Sequence, residues 1–196
     1  MQHLQLKLHL ISRKTDDVQD LVRLCGQGDA SAQKAIYDLL APKMYPLCIR
    51  YMGDRETARD VLQDGFVTLF SKLDSYSGEG SFEGWARRIF VNTALMSLRR
   101  ADVMKESEDI DTAYGVSADE TSPIDRIGYA ELMKLIGELP SGYRTVFNMY
   151  VIEGYTHKEI GDALGISEVT SRSQLQRART MLQNKIAEEI KDVRKR

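Results

Sequence analysis

Between Asp102 and Arg126 the chain carries eight acids (Asp102, Glu106, Glu108, Asp109, Asp111, Asp119, Glu120, Asp125) against two bases (Lys105, Arg126), with Ser, Thr, Gly115 and Pro123 and only scattered apolar residues. A segment of that composition cannot bury enough apolar surface to offset the entropy of ordering it. Whatever folds must therefore fold on either side. Both flanks can: 42% of the 196 residues are hydrophobic, enough for packed cores. The flanks are also mildly basic, with 14 bases and 12 acids in residues 1–101 and 11 bases and 9 acids in residues 127–196. An overall net charge of -2 hides this segregation. The acidic stretch reads as a flexible, solvated tether, and as an extended polyanion it can also occupy a basic channel.

Both flanks have helical periodicity. Val18, Leu21, Val22 and Cys25 fall at i, i+3, i+4 and i+7 after Thr15 or Asp16 as N-cap. Past Gly26-Gln27-Gly28, Asp29 caps a helix with the apolar face Ala32, Ala35, Ile36, Leu39 and Leu40; Pro42 separates a third segment ending near Gly53. Asp54 caps a fourth, with core positions Ala58, Val61, Leu62, Phe66, Leu69, Phe70 and Leu73, and Ser81 caps a fifth running to about Arg100. After the tether, Ala130, Leu132, Leu135, Ile136 and Leu139 mark a helix stopped by Pro140, and Tyr143, Val146, Phe147, Tyr150 and Val151 mark another stopped at Gly154. Apolar and polar residues alternate only in the first ten positions. The expected fold class is all-α: two small helical domains, over residues 15–101 and 127–190, joined by an acidic linker over 102–126.

Several function classes drop out. No apolar run approaches the roughly 18 residues of a membrane span, and the N-terminal stretch 1–14 lacks the small-residue cleavage site of a signal peptide. Cys25 and Cys48 sit at apolar helical positions, as buried thiols of a reducing, cytoplasmic protein would. His3, His9 and His157 have no metal-ligand spacing relative to the cysteines. No phosphate-binding glycine motif ends in Lys. An enzyme, a metal site or a cofactor is not expected.

The chemistry sits in two places. Residues 156–182 have helix-turn-helix grammar: Thr156 and Glu159 form a capping box, Ile160, Ala163 and Leu164 follow, and Gly165-Ile166-Ser167 make the turn. On the second helix Leu175, Ala178, Leu182 and Ile186 point inward. At about 100° per residue, Ser173, Gln176, Arg177 and Thr180 then face outward, with Arg172 at the edge. Arg and Gln make paired hydrogen bonds to base edges in the major groove, and Ser suits phosphate or base. In the N-terminal flank, Arg88, Asn92 and Arg99 form one stripe beside Trp85, next to the loop Ser75–Gly80. A basic stripe beside aromatic rings suits single-stranded or distorted nucleic acid. Asp60, Gln63 and Asp64 share the polar face of the fourth helix, which spacing alone leaves as an ordinary solvated face.

These blocks, ARDVLQDGFVTLF (58–70), YSGEGSFEGWARRIFVNTALMSLRR (76–100), LPSGYRTVFNMYVIEGYTHKEIGDALGIS (139–167) and SRSQLQRARTMLQ (171–183), resemble the extracytoplasmic-function sigma factors of bacterial RNA polymerase. The resemblance spans about Val18 to Ile190. It implies a promoter-specificity subunit that binds core RNA polymerase, recognises the −10 and −35 elements and supports DNA melting. It places Asp60, Gln63, Asp64 and Phe66 on the clamp helices of the largest polymerase subunit. Arg88, Asn92, Trp85 and Arg99, with the loop 76–83, fall at the −10 element; Arg172, Ser173, Gln176 and Arg177 fall at the −35 element. The tether would thread the polymerase cleft, and an anti-sigma factor, often membrane-anchored, would be the regulator. Ser171 stands where the family usually has an apolar residue, Val169 where it usually has glycine, and Gln176 at a variable position. A stand-alone helix-turn-helix regulator is the rival reading; the arginine stripe has no use in it.

Overall fold

The computed structural model describes residues 18–100 and 128–193. The N-terminal stretch 1–14, the Thr15 or Asp16 cap, the acidic tether and the side chain of Ala130 lie outside the described residues. Within them the regular structure is helical: α1 (residues 18–26), α2 (Ala30–Met52), α3 (Arg55–Ser71), α4 (Phe82–Arg100), α5 (Tyr129–Gly137), α6 (Ser141–Phe147), α7 (His157–Leu164) and α8 (Glu168–Val193). A 3-10 turn covers Leu73–Ser75, and α6 widens into a π turn over Asn148–Ile152.

Helix starts follow local capping chemistry. Asp29 Oδ1 accepts from the Ala32 N–H at 2.9 Å, Asp54 Oδ1 from Thr57 at 2.8 Å and Ser81 Oγ from Gly84 at 3.3 Å. The expected break at Pro42 does not occur: α2 runs through both Pro42 and Pro46 as one 23-residue helix. The reason is where the prolines point. Both are exposed, so the ladder bonds they delete face water. The opposite face, Ile36, Leu40, Met44, Leu47 and Cys48, is buried without interruption. Leu39, expected on that apolar face, is 42% exposed.

Among the described residues the chain divides into two compact units, one of residues 18–48 and 59–93, the other of residues 49–58, 94–100 and 128–193. In the first, α1, α2, α3 and α4 contribute Cys25, Ile36, Leu40, Val61, Phe66, Leu69, Ile89 and Phe90 to the buried set. Cys25 and Cys48 are both buried and unlinked by a disulfide. Burial and, secondarily, the Asp29 carboxylate push the Cys25 thiol up. Gly65 lets α4 approach α3, because a Cβ there would lie 2.4 Å from the Phe90 ring.

In the second unit, Leu135, Ile136, Leu139 and Tyr143 pack against Ala178, Leu182 and Ile186 of α8. The last carbonyls of α2, which a helix cannot satisfy itself, are taken up by side chains here. Arg144 donates from Nε to Tyr51 O (3.1 Å) and from Nη2 to Met52 O (2.9 Å). Its Nη1 donates to Gly137 O (2.8 Å) and Leu139 O (3.2 Å). Asn148 Nδ2 donates to Arg50 O at 2.9 Å, and Arg50 Nη2 pairs with Glu153 Oε1 at 3.0 Å.

Candidate nucleic-acid interface

The C-terminal site is built on two capped helix starts. At α7, the Glu159 N–H donates to Thr156 Oγ1 at 3.2 Å, while Glu159 Oε2 accepts from the Thr156 N–H at 2.8 Å, closing the expected capping box. The helix ends at Gly165, whose φ of 73° is left-handed and costs glycine little. The N–H groups of Gly165 and Ile166 both return to Gly161 O, at 2.8 and 3.1 Å. Two residues later Ser167 Oγ accepts from the Thr170 N–H at 2.9 Å and starts α8. The turn is therefore fixed by backbone and cap hydrogen bonds, and it sets the direction in which α8 leaves.

On α8 the sequence-derived faces separate. Leu175, Ala178, Leu182 and Ile186 are buried, whereas Arg172, Ser173, Gln176 and Arg177 are exposed. Arg172 pairs with Glu168 one turn earlier. Arg177 Nη1 donates to the hydroxyl of buried Tyr143 at 3.3 Å, which ties this arginine to α6. Ser173 Oγ donates to Thr170 O at 2.9 Å. The exposed set carries two guanidinium forks, an amide and a hydroxyl, which is the donor and acceptor repertoire for base edges and phosphates.

His157, the first residue of α7, stacks on the Tyr150 ring with centroids 4.3 Å apart and planes 20° apart. Burial first, and then the positive charge of Arg172, hold its imidazole below the usual histidine value.

In the first unit, Arg88 and Asn92 are exposed on α4 and Trp85 is half-buried beside them. Arg99, further along the same helix, is also exposed. Trp85 stacks on Phe82 (centroids 5.6 Å, 25°) and meets the Tyr76 ring at 5.3 Å. Tyr76 packs edge-on against Phe82 at 5.1 Å and donates its hydroxyl to Gly80 O at 3.2 Å. Tyr76 thus closes the loop between the 3-10 turn and α4 and gives the tryptophan one of its walls. Sequence reasoning marked this loop but not this residue; an aromatic nine positions before Trp85 was the available signal.

On α3, Asp60, Gln63 and Asp64 are exposed on one face. Phe66 departs from them. It is 4% exposed and packs among the Tyr37, Phe70 and Phe90 rings, so it supports this helix from beneath. Its neighbour Val67 is the exposed apolar residue, at 64%.

Comparison with known proteins decides what this arrangement belongs to. Residues 36–103 match sigma-70 region 2 and residues 129–182 match sigma-70 region 4. Over 179 residues the chain is 30% identical to the ECF RNA polymerase sigma-E factor of Haemophilus influenzae, covering 86% of this chain and 94% of that one. The chain belongs to the extracytoplasmic-function sigma factors.

Two further relatives fit. The ECF sigma factor SigW of Bacillus subtilis is 28% identical, with 86% of this chain and 96% of that one covered. SigE of Mycolicibacterium smegmatis is 33% identical over 82% of this chain, which spans 65% of that longer relative. In this sigma factor, all of α3 and α4 lie in the region 2 match, and α7 and the first half of α8 in the region 4 match. No helix among the described residues is long and apolar enough to cross a membrane.

Proposed function

We propose that this sigma factor divides promoter recognition between its two regions, 15–101 and 127–190, while both are held on core RNA polymerase. Asp60, Gln63 and Asp64 offer the clamp helices of the largest subunit an acidic and amide face, with Val67 as the apolar contact beside it. Arg88, Asn92 and Arg99 neutralise and orient the non-template strand at the −10 element, and Trp85, with Tyr76 behind it, provides an aromatic wall for an unstacked base. Unstacking costs a few kcal/mol per base, so a wall that is already assembled lowers the cost of melting. Arg172, Ser173, Gln176 and Arg177 read the −35 duplex from the major groove. The chain acts without a catalytic residue or cofactor, in the cytoplasm. An anti-sigma factor that covers the exposed Tyr37, Leu39 and Val67 would compete with polymerase docking.

The observation that carries this reading is the face of α8. Four polar side chains suited to DNA are exposed directly behind a capped turn, and the opposite side is buried. Arg177→Ala tests it. With core polymerase on a promoter fragment, discrimination at the −35 element should fall roughly 5- to 150-fold, the range for a lost base-edge pair, and core affinity should not change. Equal loss of core binding and −35 recognition would overturn the assignment.

A further inference from the structure

Ser171 is a hydroxyl at a position with no exposure at all, in the first turns of α8. A buried hydroxyl without a partner is costly, and Ser171 Oγ has one: His157 Nδ1 at 3.0 Å. The hydroxyl can donate or accept, so the bond forms with either neutral tautomer of the imidazole. The same ring is stacked on Tyr150. His157 therefore joins three pieces of chain: the middle of the π turn, the start of α7 and the start of α8. Immediately after Ser171 come Arg172 and Ser173, both exposed. A rotation or slide of the first turns of α8 would move those two side chains directly, and the His157 bond opposes it on the buried side.

We propose that His157 is a positioning residue for promoter reading: through Ser171 it fixes the aim of Arg172 and Ser173 at the −35 element without itself supplying the specificity. This rests on the −35 reading of α8 given above. It differs from a phosphate contact by His157, which would strengthen binding to every sequence alike and contribute to the salt dependence.

The test uses the full chain with core polymerase, with every variant compared at matched salt and the comparison repeated across a salt series. It measures the ratio of affinities for a promoter duplex with an intact −35 element and one with that element replaced. His157→Phe keeps an aromatic ring for Tyr150 and removes the hydrogen bond. His157→Asn keeps a polar atom near the Nδ1 position. Ser171→Ala removes the partner from the other side. The ratio should fall about three- to tenfold in His157→Phe and in Ser171→Ala, as loss of one hydrogen bond predicts. The double variant should fall no further, since both changes delete the same bond, and His157→Asn should stay within about twofold of the parent. Core affinity and binding to the replaced duplex should not move. Additive losses, equal losses in His157→Phe and His157→Asn, or weaker binding to both duplexes with a salt slope reduced by about one would each overturn the positioning role. If His157→Phe does not fold, Ser171→Ala decides, and an unchanged ratio there overturns it. A parent ratio of one defeats the underlying −35 reading, and the positioning role with it.

Discussion

The guanidinium of Arg144 donates to four carbonyls, those of Tyr51, Met52, Gly137 and Leu139, and is buried while doing so. Burial pushes its pKa down and the Asp54 carboxylate pushes it back up; an arginine remains charged through such a shift. Arg144→Met would leave buried carbonyls without donors, and the expected cost is roughly 2–4 kcal/mol, read as a lower denaturation midpoint in urea. Arg144→Lys should recover only part of it, because an ammonium does not present a planar fork. An unchanged midpoint for Arg144→Met would show that the four bonds are not made in solution. His157 gives a prediction about pH. Its folded value lies below the usual one, so falling pH protonates the unfolded chain first. Stability should then decline as pH drops through about 6.5 and level off below the folded value. An NMR titration of the His157 ring should give a midpoint below about 6.5; a midpoint above it would contradict the burial and the Arg172 repulsion that set the direction.

At the scale of elements, stability rests on caps and close approaches. Thr156→Ala removes one half of the capping box, and α7 should lose about 1 kcal/mol, visible as faster amide exchange confined to its first turns. Unchanged exchange there would mean the box is not formed. Gly65→Val places side-chain atoms where the Phe90 ring sits, 2.4 Å from an ideal Cβ, and should cost about 1–3 kcal/mol from overpacking. No loss would require α3 and α4 to separate freely. Capping was legible in the sequence because it is local: Asp29, Asp54, Ser81, Thr156 and Ser167 each act within three residues, and each start was found. Pro42 misled because a proline breaks the ladder by local rules, whereas which side of a helix meets water is not local. For Phe66 the helical period was the better guide: it set the residue in the core, whereas the family resemblance set it at the polymerase, and the rings around it place it inside. Arg144 left no readable trace, since its acceptors at Tyr51 and Met52 are more than 90 residues away. The outward set on α8 was legible because it needs only the helical period and a buried opposite face.

For the molecule as a whole, the charge pattern limits what the chain can do alone. Residues 1–101 and 127–196 are each only mildly basic, and the acidic stretch 102–126 outweighs both. Affinity for free DNA, which comes mostly from phosphate neutralisation, should therefore be weak at about physiological salt. Holding two weak readers on one polymerase raises their effective concentration, and that can increase apparent affinity by about 10²–10⁴ without any new contact. The free chain should accordingly show no preference for a promoter duplex over unrelated DNA in an anisotropy titration. Tight, sequence-specific binding without polymerase would instead describe a stand-alone helix-turn-helix regulator.

Promoter opening with the chain's own core polymerase puts the most weight on this account. Permanganate reactivity of unpaired thymines around the −10 element should appear only when core and chain are both present, and should fall with Asn92→Ala or Arg177→Ala while core binding persists. If the chain adds no opening and no initiation to core polymerase on any promoter fragment of its own genome, promoter recognition is not what these two faces do.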